Sequence, residues 1–190
     1  MTALSHHDRV RAGLADRLGE LASIGAGHAA GALATLLGRP FEMRVPSVRV
    51  LAPDEAAPFS RDERAFSGVL FSVRGGPGGE LALLLGPADR EALLAALLGP
   101  GAGVAAQAES ALCEVGNVVA SHALSAVGDL LGETVLPSPP ELALHDGAQA
   151  FARRVGARTG SGPVVSIEVE LRARAGDLCA LLAWVPEAIV

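Results

Sequence analysis

The chain has 190 residues, enough to bury roughly 70% of the surface its unfolded form would expose and so to build one substantial core. Half of the residues are hydrophobic and only 3% aromatic, with no Tyr, so the core must be made mainly of Ala, Leu and Val and has little to stack on nucleotide bases. A formal net charge of −6, with Arg153-Arg154 as the nearest approach to a basic run, argues against nucleic acid as a partner.

The longest apolar stretches, Leu81 to Leu85 and Leu178 to Trp184, are far below the ~20 residues of a membrane span. The opening residues MTALSHHDRVR hold no signal-like apolar region, and the expected location is the cytoplasm. Cys113 and Cys179 fit reduced, free thiols better than a disulfide scaffold.

In chain order, Asp8 to Leu37 reads as a long helix, stopped by Gly38-Arg39-Pro40. Glycines at 19, 25, 27 and 31 weaken its propensity and predict a second backbone approaching closely. Strands are predicted over Phe41 to Leu51, Ala65 to Val73 and Glu80 to Leu85, the last following the Gly75-Gly76-Pro77-Gly78-Gly79 turn. Pro87 opens a short helix to Leu98. After the separator Gly99-Pro100-Gly101-Ala102-Gly103 comes a second long helix, Gln107 to Leu131, and strands near Glu141 to Leu144, Val164 to Arg174 and Asp177 to Val185. Helix and three strands therefore occur twice, in halves of about 8–98 and 104–190, expected to form one pseudo-symmetric domain over 1–190.

The repeat is exact in spacing. Asp16, Glu20, Ser23 and Pro46 in the first half match Ser110, Glu114, Asn117 and Pro140 in the second, each pair 94 positions apart. GHAAGALATLLG from Gly27 also aligns without a gap on SHALSAVGDLLG from Ser121, pairing His28 with His122. On the second helix Ser110, Glu114, Asn117 and Ser121 form one polar stripe, whereas Val115, Val119, His122 and Ala126 suit packing on a sheet. His122 lies about 140° around the helix from Asn117, and both histidines are expected in the core or between helices; a metal bridging the two helices is the sharper alternative, without the carboxylate or thiolate partners such a site usually has. Glu114 and Asn117 stand one turn apart, a carboxylate beside a carboxamide. The first copy has Ser23 where the second has Asn117, and a hydroxyl on one carbon cannot reach as far. No Ser-His-Asp order, phosphate-binding loop or cluster of His and Cys is present, so covalent, nucleotide and zinc chemistry each lack a motif.

The stretch LGELASIGAGHAAGALATLLGRPFEMRVPSV resembles the duplicated helix of the CheC family of chemotaxis phosphatases. That family's signature is Asp or Ser, three residues, Glu, two residues, Asn, twenty-two residues, Pro. Ser110, Glu114, Asn117 and Pro140 satisfy all of it, and Asp16, Glu20 and Pro46 all but the Asn. The resemblance implies an α/β fold with a six-stranded, largely antiparallel sheet and two long helices on one face. It implies hydrolysis of the aspartyl phosphate of a CheY-type response regulator, Asn117 orienting the attacking water and Glu114 docking the regulator. Ser110 and Pro140 would support that site, and Glu20 and Ser23, with Asp16 and Pro46, would form a degenerate second one. No cofactor of its own is expected, the divalent cation, Mg²⁺, coming with the regulator. The family also implies CheD, a receptor deamidase, as a partner, which keeps open a non-catalytic adaptor. A flagellar-switch component is a weaker implication, and the two-copy text favours a monomer with its own pseudo-dyad.

Overall fold

The computed structural model describes residues 6–51, 65–99, 105–158 and 164–187, with side chains of the first helix described from Asp16 onward. All of the separator after Gly99 lies outside the described residues. The first half runs α1 (His6–Leu37), β1 (Phe41–Met43), β2 (Ser47–Leu51), β3 (Ser67–Arg74), β4 (Gly79–Leu85) and α2 (Pro87–Leu98). The second runs α3 (Ala105–Leu131), β5 (Leu136–Pro137), β6 (Glu141–Ala143), α4 (Gly147–Arg158), β7 (Val164–Ala173) and β8 (Cys179–Val185).

Every described strand pairing is antiparallel, in the order β1-β7-β8-β4-β3-β5, with β2 also on β7 and β6 also on β3. Exchanging the halves reverses this order onto itself, so the pseudo-dyad passes between the central strands β4 and β8. The eight strands fill six positions, the number that the family resemblance implies. Each outer position is a broken strand, with Pro46 between β1 and β2 and Pro140 between β5 and β6, residues that have no N–H to give to a ladder. Each half lends its broken strand to the other half's sheet edge, β1 and β2 to β7, and β5 and β6 to β3.

One sheet face carries Phe71, Leu83, Ile167, Val169, Leu182 and Trp184 against α1 and α3. Those helices meet it with small and branched apolar residues, among them Ala26, Ala29, Leu33, Leu112, Val115 and Val119, all buried. Gly116 brings α3 onto β3: a Cβ there would fall 2.5 Å from Val69 Cγ1 and 2.7 Å from its Cβ. Among the predicted close-approach glycines only Gly25 has that role, its added Cβ falling 3.1 Å from the Ala123 carbonyl oxygen. Gly27 and Gly31 have nothing within 4 Å and Gly19 only an ordinary contact with Val48. That expectation is corrected for these three positions, since no second backbone lies against them. Gly116→Ala is accordingly expected to lose about 1–3 kcal/mol through overpacking. Gly27→Ala should gain about 0.5–1 kcal/mol from helix propensity. Urea midpoints of the two variants test the contrast.

The opposite sheet face packs on α4, an element absent from the sequence reading. Its Ala148, Phe151 and Val155 are buried against Leu70, Leu84 and Ala183. The signal was apolar residues at i, i+3 and i+7, in a short segment interrupted by Arg153 and Arg154. From α4, Arg154 and Arg158 each reach the buried carboxylate of Glu80 at 2.7 Å, and the Ser72 hydroxyl donates to it at 3.0 Å.

Candidate functional site

α3 presents its small and branched residues to the sheet and α1, which leaves Ser110, Glu114 and Asn117 exposed on the outer side. Ser121, the next member of the stripe, is half-buried. Neither Glu114 nor Asn117 makes a side-chain hydrogen bond or ion pair with another described residue, so both are free to meet a partner. α3 holds Glu109, Glu114 and Asp129 and no Lys or Arg, so this surface suits a cationic group. Pro140 stands half-buried in the broken sheet edge rather than on the helix. Next to it, the Ser72 N–H donates to the Ser138 hydroxyl at 3.0 Å and the Ser138 N–H to the Ser72 carbonyl at 2.8 Å. Pro46 is half-buried in the pseudo-equivalent break.

The first copy is built differently where it differs in sequence. Ser23 is half-buried and its hydroxyl donates to the Gly19 carbonyl at 2.8 Å, turned back onto its own helix. Asp16 and Glu20 are exposed. Glu20 borders a recess of about 330 Å³ with Arg17, Leu18, Leu21, Pro77, Leu130 and Leu131. Residues early in α1 thus meet residues late in α3, so the long helices run antiparallel and carry the two polar triplets toward opposite ends of one face.

His122 does not pack on the sheet as predicted. It is exposed at the rim of the α1–α3 seam, one ring nitrogen, Nδ1, 2.8 Å from the Val118 carbonyl oxygen. The buried arc of α3 ends beside it at Val115, Val119 and Ala126, and a polar ring at that margin turns to water. His28 is exposed at the matching place on α1. The interhelix alternative therefore describes the two rings and the core alternative does not. Cys113 is half-buried, and burial, with Glu109 nearby, pushes its thiol above the ordinary value, away from reactive thiolate. Among the described residues no group of three or more His, Cys, Asp or Glu is placed to hold a metal ion, and no helix is long and apolar enough to cross a membrane.

The sequence pattern of the CheC-like family matches residues 15–50 and 108–143, which hold both polar triplets and both prolines. The chain is CheC-like. It is 32% identical over 136 residues to the CheY-P phosphatase CheC of Bacillus subtilis (strain 168), a match covering 68% of this chain and 65% of that protein. The match thus spans just under two thirds of that relative's length. The fold matches Thermotoga maritima FliY with a TM-score of 0.70 at 23% identity, covering 98% of this chain and 93% of that one. It also matches the CheX-CheY-BeF3-Mg²⁺ complex of Borrelia burgdorferi, with a TM-score of 0.58 at 13% identity and coverage of 87% and 97%. The CheC-like segments are the halves' opening helix and broken edge strand, the parts in which the sequence repeat is clearest.

Proposed function

We propose that this CheC-like chain hydrolyses the aspartyl phosphate of a phosphorylated CheY-type receiver domain, acting from the Glu114–Asn117 turn of α3. The observation that carries the reading is the pairing of an exposed, unengaged carboxylate with an exposed, unengaged carboxamide one turn away, inside a CheC-like segment. Asn117 can accept a hydrogen bond from water and donate one at the same time. Inserted beside the phosphoryl group, it holds a water in line with the phosphorus. The water oxygen bonds to phosphorus, the bond to the aspartyl oxygen breaks, and inorganic phosphate and a free carboxylate result. Glu114 docks the receiver through a lysine, consistent with the absence of basic residues on α3. The divalent cation of the reaction belongs to the receiver and enters as part of the substrate.

The first copy supports binding without hydrolysis. Its Ser23 hydroxyl is occupied by Gly19, and Glu20 opens on a largely apolar recess with Arg17. A docking role there, with CheD as a candidate partner, is compatible with catalysis at the second copy.

The test is loss of acid-labile phosphate from a ³²P-labelled CheY-type regulator. Accelerated decay is expected with the wild-type chain. Glu114→Ala should raise KM by about tenfold or more, the effect of removing a charge-assisted contact worth about 1.5–3 kcal/mol. Decay unchanged by the wild-type chain across every receiver domain of the host would overturn the phosphatase reading.

A further inference from the structure

His28 and His122 are related by the repeat, and both line one open groove of about 530 Å³ over the α1–α3 seam. They also stand level. Gly25 of α1 meets Ala123 and Val127 of α3, so stepping three residues on along α1 and three back along antiparallel α3 brings His28 opposite His122. The helices are close at this point because Gly25 has no side chain to separate them. Gly27 and Gly31 line the same groove with nothing within 4 Å above them, which leaves the rings room to turn toward each other.

The ring of His122 is already oriented. With Nδ1 2.8 Å from the Val118 carbonyl, which can only accept, that nitrogen donates, and in the neutral ring Nε2 is then the one with the lone pair. A histidine that donates one ring N–H to a backbone carbonyl while its other nitrogen is open has the second-sphere arrangement usual for metal-binding imidazoles. Both rings are exposed, so neither must be uncovered for an ion to reach it.

We propose that His28 and His122 form a two-imidazole site for a divalent transition ion of the Zn²⁺ type, bridging α1 and α3 at the pseudo-dyad. Neutral imidazole selects Zn²⁺, Cu²⁺ or Ni²⁺ over the oxygen-seeking Mg²⁺ and Ca²⁺. No third protein ligand is supplied by the described residues, so the remaining positions of a tetrahedral ion take water or a group from another molecule. The site is separate from Glu114 and Asn117 and does not depend on the phosphatase reading.

The experiment is equilibrium dialysis of the full chain against ZnCl₂, in a His6→Ala/His7→Ala background that removes the adjacent histidines near the start. One Zn²⁺ per chain is expected. His28→Ala and His122→Ala should each weaken binding at least tenfold and the double variant abolish it, while His145→Ala leaves it unchanged. A thermal-unfolding series gives a second readout: Zn²⁺ should raise Tm of the parent and not of the double variant, because only the parent binds it in the folded state. Binding retained by the double variant, no binding by the parent, or equal binding of Mg²⁺ would overturn the proposal. Since both rings are exposed, these substitutions leave the core intact.

Discussion

Replacing Asn117 by Ala is expected to lower kcat for dephosphorylation by about 10²–10³, with little change in KM, whereas Ser23→Ala leaves both nearly unchanged. Placing one water in line and supplying one hydrogen bond to it in a closed site is worth a factor of that order. The asymmetry has a structural cause as well as a sequence one. Asn117 is exposed with no described partner, but the Ser23 hydroxyl is held 2.8 Å from the Gly19 carbonyl and half-buried on its own helix. Reaching a bound receiver from Ser23 would require both breaking that hydrogen bond and spanning a gap that one carbon does not cover. Single-turnover decay of labelled regulator at saturating concentrations of each variant makes the comparison. Equal losses from the two substitutions would mean that the copies act together, and no loss from Asn117→Ala would remove the carboxamide from the mechanism.

The largest effect on stability is expected away from the site. Glu80→Ala should cost about 3 kcal/mol, because the Glu80 carboxylate is buried at 2% exposure and answers two guanidinium groups and a hydroxyl. Removing one partner of a buried ion pair typically costs about 3–5 kcal/mol. The lower end applies here, since Arg154 and Arg158 are 22% and 40% exposed and keep Glu141 and Glu187 as partners. The effect should also fall on α4, which the two arginines tie to β3 and β4. Trp184, the single tryptophan, is buried and donates its indole N–H to the Gly78 carbonyl at 3.0 Å, so its fluorescence reports unfolding beside the substituted strand. At about 2–4 °C per kcal/mol for a chain of this size, Tm should fall by roughly 6–12 °C. A drop below about 1 kcal/mol would show that the network is solvated and contributes little.

Much of the site was legible before the fold. Glu114 and Asn117 share a helix face because of their spacing alone, and exposure of that face follows from the apolar residues opposite. Ser23 was marked as the weaker copy by its length, and its bond to Gly19 adds a second reason that spacing could not supply. His122 was misplaced for a related reason. Its position beside Val115 and Ala126 identifies a margin of the buried arc, but whether a ring at a margin turns inward depends on how closely the neighbouring helix approaches. That approach is set at Gly25, and the equally suggestive Gly27 and Gly31 are open.

The sequence by itself determined the duplication, the order of most elements and the two polar triplets, because all of these depend on spacing along one chain. Only the tertiary structure decided that each half completes the other's sheet edge, since strand partners are chosen by pairing between distant segments. It alone decided that α4 covers the far face and buries Glu80, because a short helix with few apolar positions is specified by the surface it packs on. It alone also set His28 opposite His122, which requires both the antiparallel course of the long helices and the missing side chain at Gly25.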